Sequence, residues 1–338
     1  MSDLSEFEHL DEVARLRQTA ETLQKQLREA KDRSAALVDA VVRAAGDAAT
    51  LVAPSMRVEP PAADRRRKDA EVAVWHLTDW QGGKVTTTYN SQVMRARVTK
   101  FLEKARRLTE IQRADHPVRK CVILFGGDMG EGLFNFPTQP FEIDATIFEQ
   151  YVAVSVLVKE AVLFALGLYE SVEVVAEWGN HGRVGSKRAV VPRSDNFDRM
   201  IYELARQTVG DDERLVWKDC PDDIQKVEIG NYRALLCHGD EVGRNGYVSP
   251  SQFQNHANKW RGGGFDWPFQ DVYVGHYHRH GQEPLADGLG AIYWTGSTES
   301  DNRYARDNLG VTGVPSQRIN FVDPERGRVT ASYQVWLD

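Results

Sequence analysis

Residues 121–131 read CVILFGGDMGE, a short apolar run followed by two glycines and then an acidic residue, Asp128. A short apolar run that ends at glycines predicts a buried β-strand. In α/β sheets, functional side chains collect where strands end and loops begin. We therefore expect Asp128 to lie in a functional site at the end of this strand.

Four other strand-like runs end in the same way. Residues 72–78, 171–178, 233–237 and 271–274 are followed by DWQGG (79–83), GNHGR (179–183), HGD (238–240) and GHYH (275–278). Carboxylate, amide oxygen and imidazole are the ligands that divalent cations of hard to borderline character take, and glycines let the backbone turn sharply beside them. Each motif alone is a weak signal, but five in this order predict a metal site.

The order Asp-x-Gln, Gly-Asp, Gly-Asn-His, His-Gly, Gly-His-x-His resembles the signature of the calcineurin-like metallophosphoesterases. The resemblance covers roughly residues 72–336. It implies an α/β fold of two packed mixed β-sheets flanked by helices, a four-layer sandwich. The chain itself points the same way, because strands alternate with helices up to residue 208 and short strands dominate afterwards.

The resemblance also implies two adjacent divalent cations bridged by Asp128. The first would be held by Asp79, Gln81 and His278, and the second by Asn180, His238 and His276. Manganese is the expected metal, although iron, zinc and nickel accept the same ligands. His181 would not bind metal but would assist the leaving group. Glu131 would either orient His181 or a water, or be a solvated loop carboxylate.

One residue departs from the family pattern, which usually has Asp-x-His where this chain has Asp79-Trp80-Gln81. An amide oxygen is a weaker ligand than imidazole for manganese or iron. We therefore expect a working enzyme with an unequal metal pair. Loss of activity stays open as an alternative.

The reaction implied is phosphodiester hydrolysis by hydroxide generated at the metals, with His181 assisting departure of the alcohol. The form of the motifs resembles phage-type members grouped with DNA-repair exonucleases, so we predict a DNA nuclease or exonuclease with nucleic acid as substrate. A long loop, residues 242–269, interleaves basic and aromatic side chains as nucleic-acid strands require. Candidate substrate contacts are Trp80, Arg183, Trp260, Arg261 and His280. The alternatives are lid packing for the aromatic residues, a phosphomonoesterase acting on nucleotides or phosphoproteins, and a non-catalytic oligomeric scaffold.

The composition of the chain bears on its substrate and on its cellular compartment. The 338 residues carry a net charge of −7 and a pI near 5.8, which argues against a protein that coats nucleic acid by charge alone. No apolar run approaches the about 20 residues of a membrane span, and no secretory signal is evident. Three cysteines without close pairing favour buried thiols in a reducing compartment. We expect a cytoplasmic protein with no membrane partner.

The chain divides into three predicted parts. Residues 1–50 show small and apolar residues alternately three and four apart from Val13 to Ala44, which predicts a coiled coil and a homo-oligomer. A helix packed on its own catalytic domain is the alternative. Residues 51–71, rich in proline and charge, are the predicted linker, and residues 72–338 the phosphoesterase domain.

Overall fold

The computed structural model describes most of the chain from residue 58 onward. Described are residues 58–66, 69–135, 139–185, 192–219, 222–242, 248–286, 288–301 and 313–338, together with the helical positions Gln18, Glu21, Thr22 and Lys25. None of these four belongs to the predicted heptad stripe, so the coiled coil of residues 1–50 lies outside the described residues. Within the predicted linker, residues 58–66 form no helix or strand. They are anchored by Arg214, whose guanidinium donates to the Val58 carbonyl at 2.8 Å, and by Glu170, which accepts from the Asp64 N–H at 2.9 Å.

The described part contains four α-helices and eleven strands. The helices are α1 (Ser91–Arg113), α2 (Ile147–Leu168), α3 (Phe197–Val209) and α4 (Pro250–Lys259). The strands are β1 (Glu71–Leu77), β2 (Val118–Gly126), β3 (Ser171–Glu177), β4 (Leu215–Trp217), β5 (Gln225–Ile229), β6 (Tyr232–Cys237), β7 (Asp271–Val274), β8 (Gly281–Pro284), β9 (Ala291–Trp294), β10 (Ser316–Asp323) and β11 (Arg328–Trp336).

The strands form two mixed sheets. The first has the order β11-β10-β1-β2-β3-β4, in which β1 to β4 run parallel and β10 and β11 are antiparallel to their neighbours. The second has the order β5-β6-β7-β9-β8, with a parallel centre of β6, β7 and β9 and an antiparallel strand at each edge. The predicted α/β class with two mixed sheets is confirmed. The strands at the centres of both sheets are apolar because both of their faces are covered.

The core lies in layers on either side of the two sheets. Between the sheets, Val74 and Leu124 of the first pack in one cluster with Tyr273 of the second. On the outer face of the first sheet, Trp75 contacts Phe101 of α1 edge-on, with ring centroids 5.6 Å apart. A second cluster joins the outer face of the second sheet to α4. Burying each such side chain contributes about 1.5–3 kcal/mol, so the layers fix the strand ends relative to one another.

Helix α2 is the most apolar helix of the described chain. Its length and its mean hydropathy of 1.9 would suit a membrane span, but 56% of its most apolar window is buried inside the protein, as in a core helix. It begins at Ile147, because Thr146 and Glu149 form a capping box there. Residues Gln139–Phe141 form a separate 3-10 turn.

The stretch 242–269, expected as one long loop, contains helix α4 and a π-helical turn, Trp260–Gly264. The helix was readable from sequence. Ser249 caps it, Pro250 is its first residue, and Gln252 completes the capping box.

Candidate metal centre

The carboxyl ends of the parallel strands bring the seven predicted metal ligands together at one edge of the sandwich. Strands β1, β2 and β3 supply the ligands from the first sheet, and β6 and β7 those from the second. The seven residues are Asp79, Gln81, Asp128, Asn180, His238, His276 and His278. Their mutual contacts fall into two groups that share Asp128.

The first group surrounds His278. Its Nε2 lies 3.2 Å from Asp79 Oδ1 and 3.5 Å from the side-chain amide of Gln81. The same amide lies 3.4 Å from Asp128 Oδ2. The amide nitrogen of Gln81 therefore lies between Asp128 and His278, and the role of Gln81 as a metal ligand stays a prediction.

The second group surrounds His238. Its Nε2 lies 3.1 Å from Asp128 Oδ2 and 3.3 Å from Asn180 Oδ1. Ligand atoms of Asp128, His238 and His276 all lie within 4.8 Å of one another. This arrangement is a possible metal site in its own right.

Five of the seven residues have a left-handed backbone. The φ angles are 53° at Asp79, 49° at Gln81, 51° at Asp128, 62° at His276 and 48° at His278. Residues other than glycine seldom adopt this conformation, and such strain clusters at functional sites. It turns each ligand out of its strand towards the common centre.

The residues around Asp128 fit a bound divalent cation. His238 Nδ1 is 2.8 Å from the Gly126 carbonyl and donates to it, so Nε2 is the nitrogen that faces the oxygens of Asp128 and Asn180. Burial opposes a charge on His238, but Asp128 raises the pKa of its ring well above the usual value, so without a cation Nε2 carries a proton. Acceptors facing one another in a buried place require a proton or a cation between them. Gln81 Oε1 is buried and has no hydrogen-bond partner among the residues that the structure describes. Nitrogen and oxygen ligand atoms 3.1–3.3 Å apart also match the spacing of about 3.0–3.5 Å around an ion with bonds near 2.1 Å.

The rings of His238 and His278 are held from behind through Nδ1, as metal-binding histidines are. His278 Nδ1 lies 3.1 Å from Glu299 Oε2, and the His276 backbone N–H donates to Asp79 Oδ2 at 3.0 Å. Sequence reasoning missed Glu299, although it follows β9 just as the predicted ligands follow their strands. A search of every strand end would have found it.

Burial and neighbouring charges set the protonation of these rings. Burial and the nearby His238 lower the pKa of His276 to about 4, which leaves its ring neutral. Burial also disfavours charge on His278, but Asp79 and Glu299 outweigh it and raise the pKa of His278 to about 10. The Asp128 carboxyl is buried, yet His238 and His181 hold its pKa far below the usual value. Asp128 is therefore a carboxylate, as a bridging ligand must be.

His181 lies beside the ligands with its ring fixed by Glu131. Its Nδ1 is 3.1 Å from Glu131 Oε2, and its Nε2 is 3.9 Å from Asp128 Oδ2. Burial opposes the charge, but Glu131 and Asp128 raise the pKa of His181 to about 9. Glu131 is buried and also contacts Lys84 Nζ at 3.2 Å, a contact that the sequence did not suggest. The structure thus supports an orienting Glu131 over a solvated one.

Three of the predicted substrate contacts, Trp80, Trp260 and Arg261, contact other residues of the protein instead. Trp80 is fully buried against Phe125, with ring centroids 6.0 Å apart, so the structure does not support a contact with substrate. Trp260 packs edge-on against Phe253 in the α4 cluster, which matches the lid-packing alternative. In the same segment, the guanidinium of Arg261 donates to the Gln270 carbonyl at 2.7 Å.

The last two predicted contacts are engaged within the protein. Arg183 donates to Asp240, which also accepts from Arg193 at 2.6 Å. His280 lies 3.4 Å from the Arg318 guanidinium, and burial together with that charge lowers the pKa of His280 to about 3. Both side chains are partly exposed, so a role in substrate binding stays a prediction.

No known protein family and no curated protein matches the chain. Among solved structures it is similar to Vps29 from Entamoeba histolytica complexed with zinc, with 13% identity, a TM-score of 0.33, and 79% of this chain and 99% of that chain covered. It is also similar to a predicted phosphoesterase from Streptococcus pneumoniae, with 11% identity and a TM-score of 0.30. That match covers 79% of this chain and 98% of the other. A third similar structure is a putative 5'-nucleotidase from Staphylococcus aureus, with 10% identity and a TM-score of 0.36. That match covers 79% of this chain and 54% of the other. Values this low assign the chain to no family, so its fold class follows from its own two mixed sheets and helices.

Proposed function

We propose that the chain is a phosphodiesterase that works with two divalent cations. The observation that carries the proposal is the position of Asp128, whose Oδ2 lies 3.4 Å from the Gln81 amide in one ligand group and 3.1 Å from His238 in the other. A carboxylate placed between two groups of ligands suits a shared bridge. The order of motifs along the sequence, read as metallophosphoesterase-like, supports the same conclusion.

Two bound cations would polarise the phosphoryl oxygens and supply a nucleophile at neutral pH. The side chains of this protein provide the rest. Asp79, Gln81 and His278 would hold one cation, and Asn180, His238 and His276 the other. Manganese suits this mixture of oxygen and nitrogen ligands.

His181 would protonate the leaving oxygen. Glu131 engages its Nδ1, so Nε2 is the nitrogen that faces the bridging carboxylate and the space beside it. Glu131 and Asp128 raise the pKa of His181 to about 9, so without bound cations the ring is protonated at neutral pH. A positioned acid of this kind contributes about 10²–10⁴-fold to the rate.

For the substrate class we propose a nucleic-acid phosphodiester, DNA first, in line with the resemblance to phage-type DNA-repair exonucleases. Because the chain carries a net charge of −7, binding by charge alone is disfavoured. Single strands or strand ends, which reach a recessed site more easily than a duplex, are therefore the substrates of choice.

A second candidate is a non-catalytic scaffold, which the replacement of the usual histidine by Gln81 favours. In that case the fold would bind partner proteins, and the site formed by His181 and the candidate metal ligands would hydrolyse no phosphate ester. The two candidates differ in what Mn²⁺ does to a phosphodiester.

The test uses the full chain with Mn²⁺, labelled single- and double-stranded DNA, bis-p-nitrophenyl phosphate and p-nitrophenyl phosphate. We expect turnover of the diester and of single-stranded DNA, abolished by Asp128→Ala. Preference for the monoester would instead indicate a phosphomonoesterase. No turnover with manganese, iron, zinc or nickel, and no difference between the wild type and Asp128→Ala, would favour the scaffold and count against the phosphodiesterase.

A further inference from the structure

One more buried carboxylate, that of Asp198, lies beside the ligand loops, and its oxygens accept backbone N–H groups. Asp198 is in the first turn of α3 and has no exposed surface. Its two oxygens accept four backbone N–H groups, from Asp128 at 2.7 Å, Gly179 at 2.9 Å, Met129 at 3.0 Å and Gly130 at 3.3 Å. These donors occupy its oxygens, so Asp198 is not itself a ligand.

The four donors belong to two different ligand loops. Asp128, Met129 and Gly130 follow β2, whereas Gly179 follows β3 and immediately precedes the ligand Asn180. The loops touch so closely that a Cβ on Gly127 would lie 2.4 Å from the Gly179 nitrogen. Asp198 Oδ2 bridges this junction, because it accepts from Asp128 in one loop and from Gly179 in the other.

The junction is closed on its other side by Asn196, the residue that caps α3. Its amide donates to the Gly179 carbonyl at 2.7 Å, and its Oδ1 accepts the Asp198 N–H at 2.8 Å. The amino end of a helix also stabilises a negative charge. The amino end of α3 therefore holds Gly179 by both backbone groups. Asp198 accepts from the Gly179 N–H, and Asn196 donates to the Gly179 carbonyl.

We propose that Asp198 is a positioning residue that sets the left-handed Asp128 and the neighbouring Asn180 loop in their ligand-bearing geometry before a cation arrives. The inference rests on the metal site of the proposed function, but not on turnover. Four N–H groups aimed at one carboxylate offset the backbone strain at Asp128, whose φ is 51°. Asp198 makes these bonds to backbone groups alone, so it takes up no side-chain ligand atom of the two loops.

Only a carboxylate can do this. Oδ1 accepts from Met129 and Gly130, and Oδ2 from Asp128 and Gly179. In Asp198→Asn, either orientation of the amide would point its NH₂ at two N–H donors. Two hydrogen bonds would be lost in a buried place, although volume and shape hardly change.

The first experiment measures Mn²⁺ affinity by titration calorimetry, well below the unfolding temperature of each variant. We expect Asp198→Asn to weaken binding about 10–100-fold, the range for residues that support metal ligands. The matched control is Asp271→Asn, which also changes a buried carboxylate that accepts a backbone N–H, from Ala291 at 2.7 Å. It should leave the affinity within about twofold, since Asp271 contacts none of the ligand loops. A lower melting temperature with unchanged Mn²⁺ affinity would show a merely structural role and overturn the proposal.

The second experiment needs no variant. Hydrogen exchange is followed on the metal-free wild type at the amides of Asp128, Met129, Gly130 and Gly179. We expect slow exchange before any metal is added. Rapid exchange that slows only on adding Mn²⁺ would mean that the cations shape the loops, and it would overturn the proposal even if no ester is ever hydrolysed.

Discussion

The backbone N–H of His181 donates to Asp128 Oδ1 at 2.7 Å. This bond ties the proposed acid to the proposed bridging ligand, because Oδ1 is occupied while Oδ2 faces His238 Nε2 at 3.1 Å. His181 Nε2 lies 3.9 Å from the same Oδ2. The proposed leaving-group acid and the proposed metal bridge are therefore positioned relative to each other by the carboxylate of Asp128.

Asp128→Asn should weaken both cation sites together. The amide keeps an oxygen for the His181 N–H but loses the negative charge that both cations would share. We expect a loss of Mn²⁺ affinity larger than the about 10–100-fold caused by changing a supporting residue. Titration calorimetry gives affinity and stoichiometry, and loss of only one equivalent would contradict a bridging role.

His181→Asn should lower kcat about 10²–10⁴-fold while Mn²⁺ affinity changes little, because the ring acts on the leaving oxygen and not on the metals. The loss should be larger for DNA than for bis-p-nitrophenyl phosphate, whose leaving group needs less protonation. His116→Asn serves as the control, since that ring lies beside the Asp69 carbonyl and Glu71 and not beside the ligand set. Equal losses on both substrates would count against an acid.

Gln81→His should tighten the first cation site. Imidazole is the stronger ligand, and histidine is among the residues that tolerate the left-handed backbone found here, with φ of 49°. We expect the manganese content to rise towards two ions per chain, measured by elemental analysis after dialysis. Gln81→Ala is the matched opposite and should lower it. If the content is unchanged in both variants, position 81 does not bind metal.

Asp271→Asn should change how stability depends on pH. Burial, opposed by the Tyr232 hydroxyl, the Ala291 N–H and the charge of Arg261, raises the pKa of Asp271 to about 6. The folded state therefore favours the protonated acid. This stabilisation is complete below the unfolded pKa near 4 and is lost as the pH rises through about 6.

Urea unfolding of the wild type and Asp271→Asn at pH 4 and pH 7.5 tests this directly. The difference in free energy of unfolding should shift by about 2–4 kcal/mol in favour of the variant at the higher pH. The exposed Asp266→Asn controls for the loss of one negative charge. A difference that is the same at both pH values would show that Asp271 is not protonated in the fold.

Much of the fold was predictable because the central strands are short apolar runs that end at glycines. Residues 121–125 predicted β2, and its place beside β1 in a parallel pair followed from the alternation of strands and helices. The candidate ligands were predictable for the same reason, since they are polar residues at the ends of those strands. The structure brings all seven together.

The features of the site that could not be predicted from the sequence depend on contacts between segments far apart in the chain. Trp80 adjoins a ligand and was assigned to substrate, but its ring turns into the core against Phe125. Asp198 and Glu299 act on ligands far away in the chain, Asp128 and His278, through bonds that no local pattern records. The left-handed backbone of five ligands is likewise a property of the assembled loops.

The most direct measurement is the anomalous difference map of a crystal soaked in Mn²⁺. The account predicts two peaks that share Asp128, one within about 2.0–2.3 Å of ligand atoms of Asp79 and His278 and the other equally close to His238 and His276. The same map would also show whether the Gln81 side-chain oxygen faces the peak beside Asp79 and His278. Absence of both peaks, or peaks away from these side chains, would contradict the two-cation site.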